Sequence, residues 1–182
     1  MNDSTAPKIE YGVTPTEVMA SMAGLDFVRA IFEGKLPAPP IMQTVEPFDS
    51  TAEPGVVVIH STPSFRHYNP IGSVHGGYAA TLLDSAMGLA VHTMLPAGTG
   101  YTTLEFKISF IKGMTEDTGP VRTEGRTLPP HRHRRSAHHR RRGPPAGACH
   151  HDLPGFRDSE GIIKGNVIRR PLLIPGNMRA GE

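Results

Sequence analysis

Asp84 is a lone carboxylate in a run of apolar and small residues. It stands nine positions after His75 in a stretch that begins Asn69-Pro70-Ile71-Gly72-Ser73-Val74-His75-Gly76-Gly77. Carboxylates are seldom held among apolar neighbours without a reason, and Asp84 is a candidate base or nucleophile. Gly76 and Gly77 open a helix. The N–H groups of a helix's first turn lack intrahelical partners and face a ligand with the helix dipole behind them. Asn69 and His75 add polar side chains on the loop that enters this helix. Each residue also has a plainer reading: Asp84 as a solvent-edge carboxylate, Asn69 as an Asx-turn before Pro70, His75 as a helix cap or packing residue. The sixteen-residue combination is more specific than any of its parts.

These side chains need a frame. Residues 1–13 read as a disordered lead-in. Thr14 and Pro15 read as the N-cap and first residue of a helix running to about Gly34, with Val18, Met22, Leu25, Val28, Ile31 and Phe32 at helical spacing. Ile41 to Phe48 reads as a strand, Pro47 to Gly55 as a turn region, and Val56 to His60 as a second, β-branched strand. Gly76 to about Met94 is the central helix, broken by Pro96-Ala97-Gly98. Tyr101 to Ile111 alternates at Leu104, Phe106, Ile108 and Phe110 and reads as a strand, with Val121 to Leu128 as the next. This order predicts an α+β fold with an antiparallel sheet and segregated helices. Ala79, Ala80, Ala86, Gly88 and Ala90 keep the central helix slim enough for a sheet to curl round it.

The Asn-Pro turn at 69, the His-Gly-Gly helix start at 75, the Asp nine residues on, and the strand Thr-Gly-Tyr-Thr-Thr-Leu-Glu-Phe-Lys-Ile-Ser-Phe at 99–110 resemble a known family. It is the hotdog-fold acyl-CoA thioesterases of the phenylacetate-degradation (PaaI-like) type. The resemblance covers residues 15–128. It implies a hotdog fold, in which one long central helix is wrapped by a curved antiparallel sheet, and hydrolysis of an acyl-CoA thioester to free acid and CoA. It implies no cofactor or metal. On this resemblance Asp84 is the base or nucleophile, and the Gly76 N–H, helped by Gly77, holds the carbonyl oxygen. Asn69 and His75 fix the thioester or the leaving sulfur. Thr103 orients the attacking water; its plainer reading is an ordinary strand threonine. Arg122 and Arg126 are candidates for the CoA phosphates. Nine helical residues separate His75 and Asp84 by about 13 Å of rise, so one chain cannot bring both to one thioester. A two-fold dimer with antiparallel central helices can. The expectation is a homodimer or homotetramer with its active site across the dimer interface.

No run approaches the length of a membrane span, and residues 1–10 lack the basic and apolar regions of a signal peptide. Cys149 is the only cysteine, which rules out an intrachain disulfide framework. These features lead us to expect a cytoplasmic protein that engages neither membrane nor nucleic acid. The net charge of +2 hides an asymmetry. Gly125 to His151 holds seven arginines and no acid; without them 12 basic side chains face 17 acidic ones, and the remainder carries −5.

Pro129 to Arg157 has no helical or strand period, and six His and six Arg fall between His131 and His151. Three readings compete: a His-rich metal site, a basic arm for nucleic acid, and the family's last strands read in the wrong frame. The third is preferred. With GC-rich codons, a one-base shift turns the segment into two strand-like patterns around a Glu-Gly turn. The expected organisation is therefore a lead-in over 1–13, a thioesterase domain over 14–128 and an aberrant basic tail over 129–182. The last strands would be missing or disordered and the 121–128 strand left as an uncovered edge. No specific pairing is expected for Ile162, Ile163, Val167 or Ile168. The rival functions are a catalytically dead hotdog-like binding protein, and a basic His/Arg-rich protein that binds nucleic acid or metal.

Overall fold

The computed structural model describes residues 9–127 and 164–173. Two short helices, α1 (Thr16–Ser21) and α2 (Gly24–Phe32), precede the hairpin β1 (Pro47–Glu53) and β2 (Val56–Ser61). The central helix α3 (Gly76–His92) follows, then β3 (Thr99–Ser109), β4 (Val121–Arg126) and β5 (Lys164–Leu173). The strands form antiparallel ladders in the orders β1-β2-β4 and β3-β5. The central helix packs against β2, β4 and β3, so the helix-in-sheet arrangement is present.

Small residues set how closely the sheet wraps the helix. A Cβ on Gly125 of β4 would fall 2.1 Å from the carbonyl oxygen of Ala86. Ala86 and Ala90 are fully buried beneath Val57, Ile59 and Val121. The strand therefore lies on the helix backbone itself. Leu83 and Met87, on another face of α3, pack with Phe106 and Ile108 of β3.

The first helix differs from the sequence expectation. The backbone is extended at Met22 and Ala23, which splits residues 14–34 into α1 and α2, and Pro15 rather than Thr14 is the cap. The reason is contact with α3. A Cβ on Gly24 would meet the His92 carbonyl oxygen at 1.7 Å, and the Gly24 N–H donates to Leu95 O at 3.0 Å. A continuous helix could not seat its backbone there.

The first strand also lies elsewhere. Pro40–Thr44 is a 3₁₀ turn, and β1 occupies Pro47–Glu53, the stretch read as a turn. Only Ala52 of β1 is buried, because among the described strands β1 is a sheet edge with little apolar demand. The true turn is Pro54-Gly55, where Gly55 takes a φ of +75°.

Residues 164–173 pair with β3 along its length, from Thr99↔Leu173 to Ser109↔Lys164. No specific pairing was expected there from side-chain pattern. Ladder pairing uses backbone groups, and the long edge of β3 offers donors and acceptors to any extended chain. Among the described strands β4 pairs with β2 alone. The frame-shifted reading of Pro129 to Arg157, and the metal and nucleic-acid readings of its His and Arg, lie outside the described residues.

Candidate active site

The loop into α3 is built by Asn69. Its Oδ1 accepts from the N–H of Ile71 at 3.1 Å and of Ser73 at 3.2 Å, and its Nδ2 donates to Ser73 Oγ at 2.9 Å. This is the Asx-turn reading, reinforced by a serine four residues on. It commits the acceptor and leaves one Nδ2 hydrogen for any other partner. The loop is fastened at its far side, where the Val74 N–H donates to Met114 O at 2.9 Å.

His75 caps the helix: its Nδ1 accepts from the Gly77 N–H at 2.8 Å. With Nδ1 accepting, the neutral ring carries its one N–H hydrogen on Nε2, an outward donor. A Cβ on Gly77 would sit 2.8 Å from His75 Nδ1, so the second glycine makes room for the cap. Gly77's N–H is thereby committed within the helix start. The Gly76 N–H, at the first helical position, has no intrahelical partner.

A buried polar cluster anchors this helix end. The His75 N–H donates to His67 O at 2.7 Å. The ring of His67 lies 4.5 Å from that of Tyr78, whose hydroxyl is 2.7 Å from Ser61 Oγ, and Ser61 in turn donates to Val45 O. Burial pushes the Tyr78 phenol above its usual range, so it stays neutral and bonded.

Asp84 is half-buried on α3, and its Oδ1 accepts from Thr103 Oγ1 at 3.0 Å. The strand that carries Thr103 has a bulge. The β3–β5 register shifts between Thr103 and Glu105, so Leu104 is the extra residue and lies 60% exposed. Before the bulge Tyr101 and Thr103 face the helix; after it Phe106 and Ile108 do. The bulge keeps both pairs on one face despite the added residue. The simple alternation through Leu104 and Phe110 is thus corrected: both side chains are largely exposed.

Asp84 and Thr103 are brought together, as are Asn69, His75, Gly76 and Gly77. The two groups stay apart within the chain, since one unbroken helix runs from Gly76 past Asp84. Arg122 and Arg126 are not brought to either group. Both close on Glu124, on the β4 face opposite the buried Val121 and Thr123 that meet α3. Burial pushes Glu124 up, but the hydrogen bonds and charges of Arg126 and Arg122 outweigh it and hold the carboxyl below its usual range. Sequence reasoning missed two residues here. Ser73 was signalled by its spacing from Asn69; Phe110, whose ring lies over Gly76, is a contact between distant elements with no local signal.

Among the described residues, no cluster of three or more His, Cys, Asp or Glu is placed to hold a metal, and no helix is long and apolar enough to cross a membrane.

Residues 71–128 match the model of the Thioesterase superfamily. No curated protein matches the chain. Among solved structures, a phenylacetic acid degradation-related protein from Ralstonia eutropha is 19% identical, with a TM-score of 0.55 over 78% of this chain and 96% of that one. A conserved protein from Pseudomonas aeruginosa is 21% identical, with a TM-score of 0.53 over 74% and 95%. A thioesterase family protein from Silicibacter pomeroyi is 19% identical, with a TM-score of 0.54 over 82% and 98%. At these identities the likeness is one of fold, and the fold is the hotdog fold. The superfamily match lies on the central helix and the strands after it, and the chain as a whole has the hotdog fold. That match supports thioester hydrolysis in general.

Proposed function

We propose that this protein hydrolyses acyl-CoA thioesters to the free acid and CoA, as a cytoplasmic homo-oligomer whose site lies across a two-fold axis. The observation that carries the reading is the Thr103–Asp84 hydrogen bond, which fixes a half-buried carboxylate on the central helix. In the proposed step Asp84 of one subunit takes a proton from water as the water oxygen attacks the thioester carbon. The oxygen of the tetrahedral intermediate, now negative, sits on the Gly76 N–H of the other subunit, with the α3 dipole behind it. His75 Nε2–H donates toward the same group or toward the sulfur. The C–S bond then breaks, the sulfur takes up the proton that Asp84 removed from water, and carboxylic acid and CoA thiol leave with Asp84 again a carboxylate. Thr103 holds Oδ1 and so orients the carboxylate. Asn69 shapes the loop that presents His75.

The test is CoA-thiol release from a panel of acyl-CoA esters by the purified protein and by D84N. The expected result is turnover by the parent and its near-complete loss in D84N, with oligomeric state and melting unchanged. No thiol release by the parent above background would instead favour the catalytically dead binding protein. A D84N protein with most of the parent's turnover would overturn the mechanism.

A further inference from the structure

Gly76 has an aromatic ring close against it. Its φ is not left-handed, so the backbone alone would accept other residues. A Cβ on it, however, would lie 2.9 Å from Cζ and 3.2 Å from Cε1 of Phe110. Phe110, one residue beyond β3, lays its ring against the first residue of α3. The ring is not drawn into the core: Phe110 is 58% exposed, and Ile111 beside it 70%. An open aromatic ring thus stands beside the N–H proposed to bind the thioester oxygen. Whatever is bonded to that carbonyl carbon must pass along the ring. A phenyl face has no strong donor or acceptor for the amides of the pantetheine arm, but it packs well on methylenes.

We infer that Phe110 is a specificity-determining residue: its ring is the wall against which the first carbons of the acyl group pack. The inference rests on the acyl-CoA reading above, and the experiment separates the two. The chain contains no tryptophan, so F110W places a single indole reporter at this wall. The probes are octyl-CoA thioether, which cannot be hydrolysed, and CoA alone. Calorimetry on the parent and on F110W first measures binding of the thioether. The expected result is a fluorescence change in F110W with the thioether and none with CoA. In parallel, F110A should raise KM for octanoyl-CoA about tenfold while leaving that for acetyl-CoA within about twofold, since the longer chain loses its packing surface. F110L, which keeps an apolar wall, should restore most of the difference. An equal fluorescence response to CoA, or none while calorimetry shows the thioether bound, would overturn the role of Phe110 and leave the acyl-CoA reading intact. Absence of thioether binding to the parent would overturn both.

Discussion

Thr103 donates its hydroxyl hydrogen to Asp84 Oδ1 across 3.0 Å, from the last residue before β3 is thrown out of register. The bond joins strand to helix and restricts the carboxylate's rotation. A hydrogen bond to a charged group contributes about 1.5–3 kcal/mol. T103V, which keeps the shape and removes the donor, should therefore lower kcat by about tenfold to a hundredfold with little change in KM. T103S should retain most of the activity. Steady-state kinetics decides, and an unaffected T103V would return Thr103 to the status of an ordinary strand threonine.

The separation of His75 from Asp84 along one helix predicts complementation between subunits. H75A and D84N homo-oligomers should each be impaired. A mixed dimer carries one site with both defects and one with neither. Co-refolding the two variants should recover activity above the mean of the separate proteins. Activity that never exceeds that mean would place both residues in a site within one chain.

Gly125 should be intolerant of even one added carbon. A Cβ there falls 2.1 Å from Ala86 O and 2.5 Å from Met87 N, both backbone atoms that cannot swing aside. G125A should cost at least about 2–3 kcal/mol, at the upper end of overpacking penalties, measured by urea titration. By contrast, an alanine at Gly113, where a Cβ meets nothing within 4 Å, should change stability little.

His92 predicts a pH dependence. It is buried, its ring lies 5.1 Å from Phe27 and 5.6 Å from Tyr101, and burial lowers its pKa below the usual 6.5. As pH falls below about 6.5 the unfolded chain takes up a proton that the folded state resists, so stability is greatest above that value and declines beneath it. Thermal melts between pH 8 and pH 5 should show a steeper acid loss in the parent than in H92F. Parallel curves would show that His92 does not contribute.

The candidate site was legible because it is local. Asn69, His75, Gly76 and Asp84 declare themselves within one loop and helix, and the small residues of α3 announced a closely wrapped sheet. What stayed hidden depends on contacts between distant elements. β1 is polar, with only Ala52 buried, so it carries no alternation to read. The break before Gly24 exists because the chain meets the end of α3, and the bulge at Leu104 shifts a parity that a regular strand would keep. Arg122 and Arg126 looked available for phosphate until Glu124 between them claimed both.

The partner of β3 among the described strands is β5, drawn from Lys164–Leu173 near the far end of the chain. The hydroxyl that steadies Asp84 therefore stands on a strand registered by residues well downstream of the Asn69–Asp84 stretch. Truncation, insertion or a changed reading frame in the tail would act on chemistry at a distance. It would first loosen the aim of one carboxylate, while the helix that bears it, held by β2 and β4, stayed folded. Such a protein would pass a test of helical content and still fail an assay.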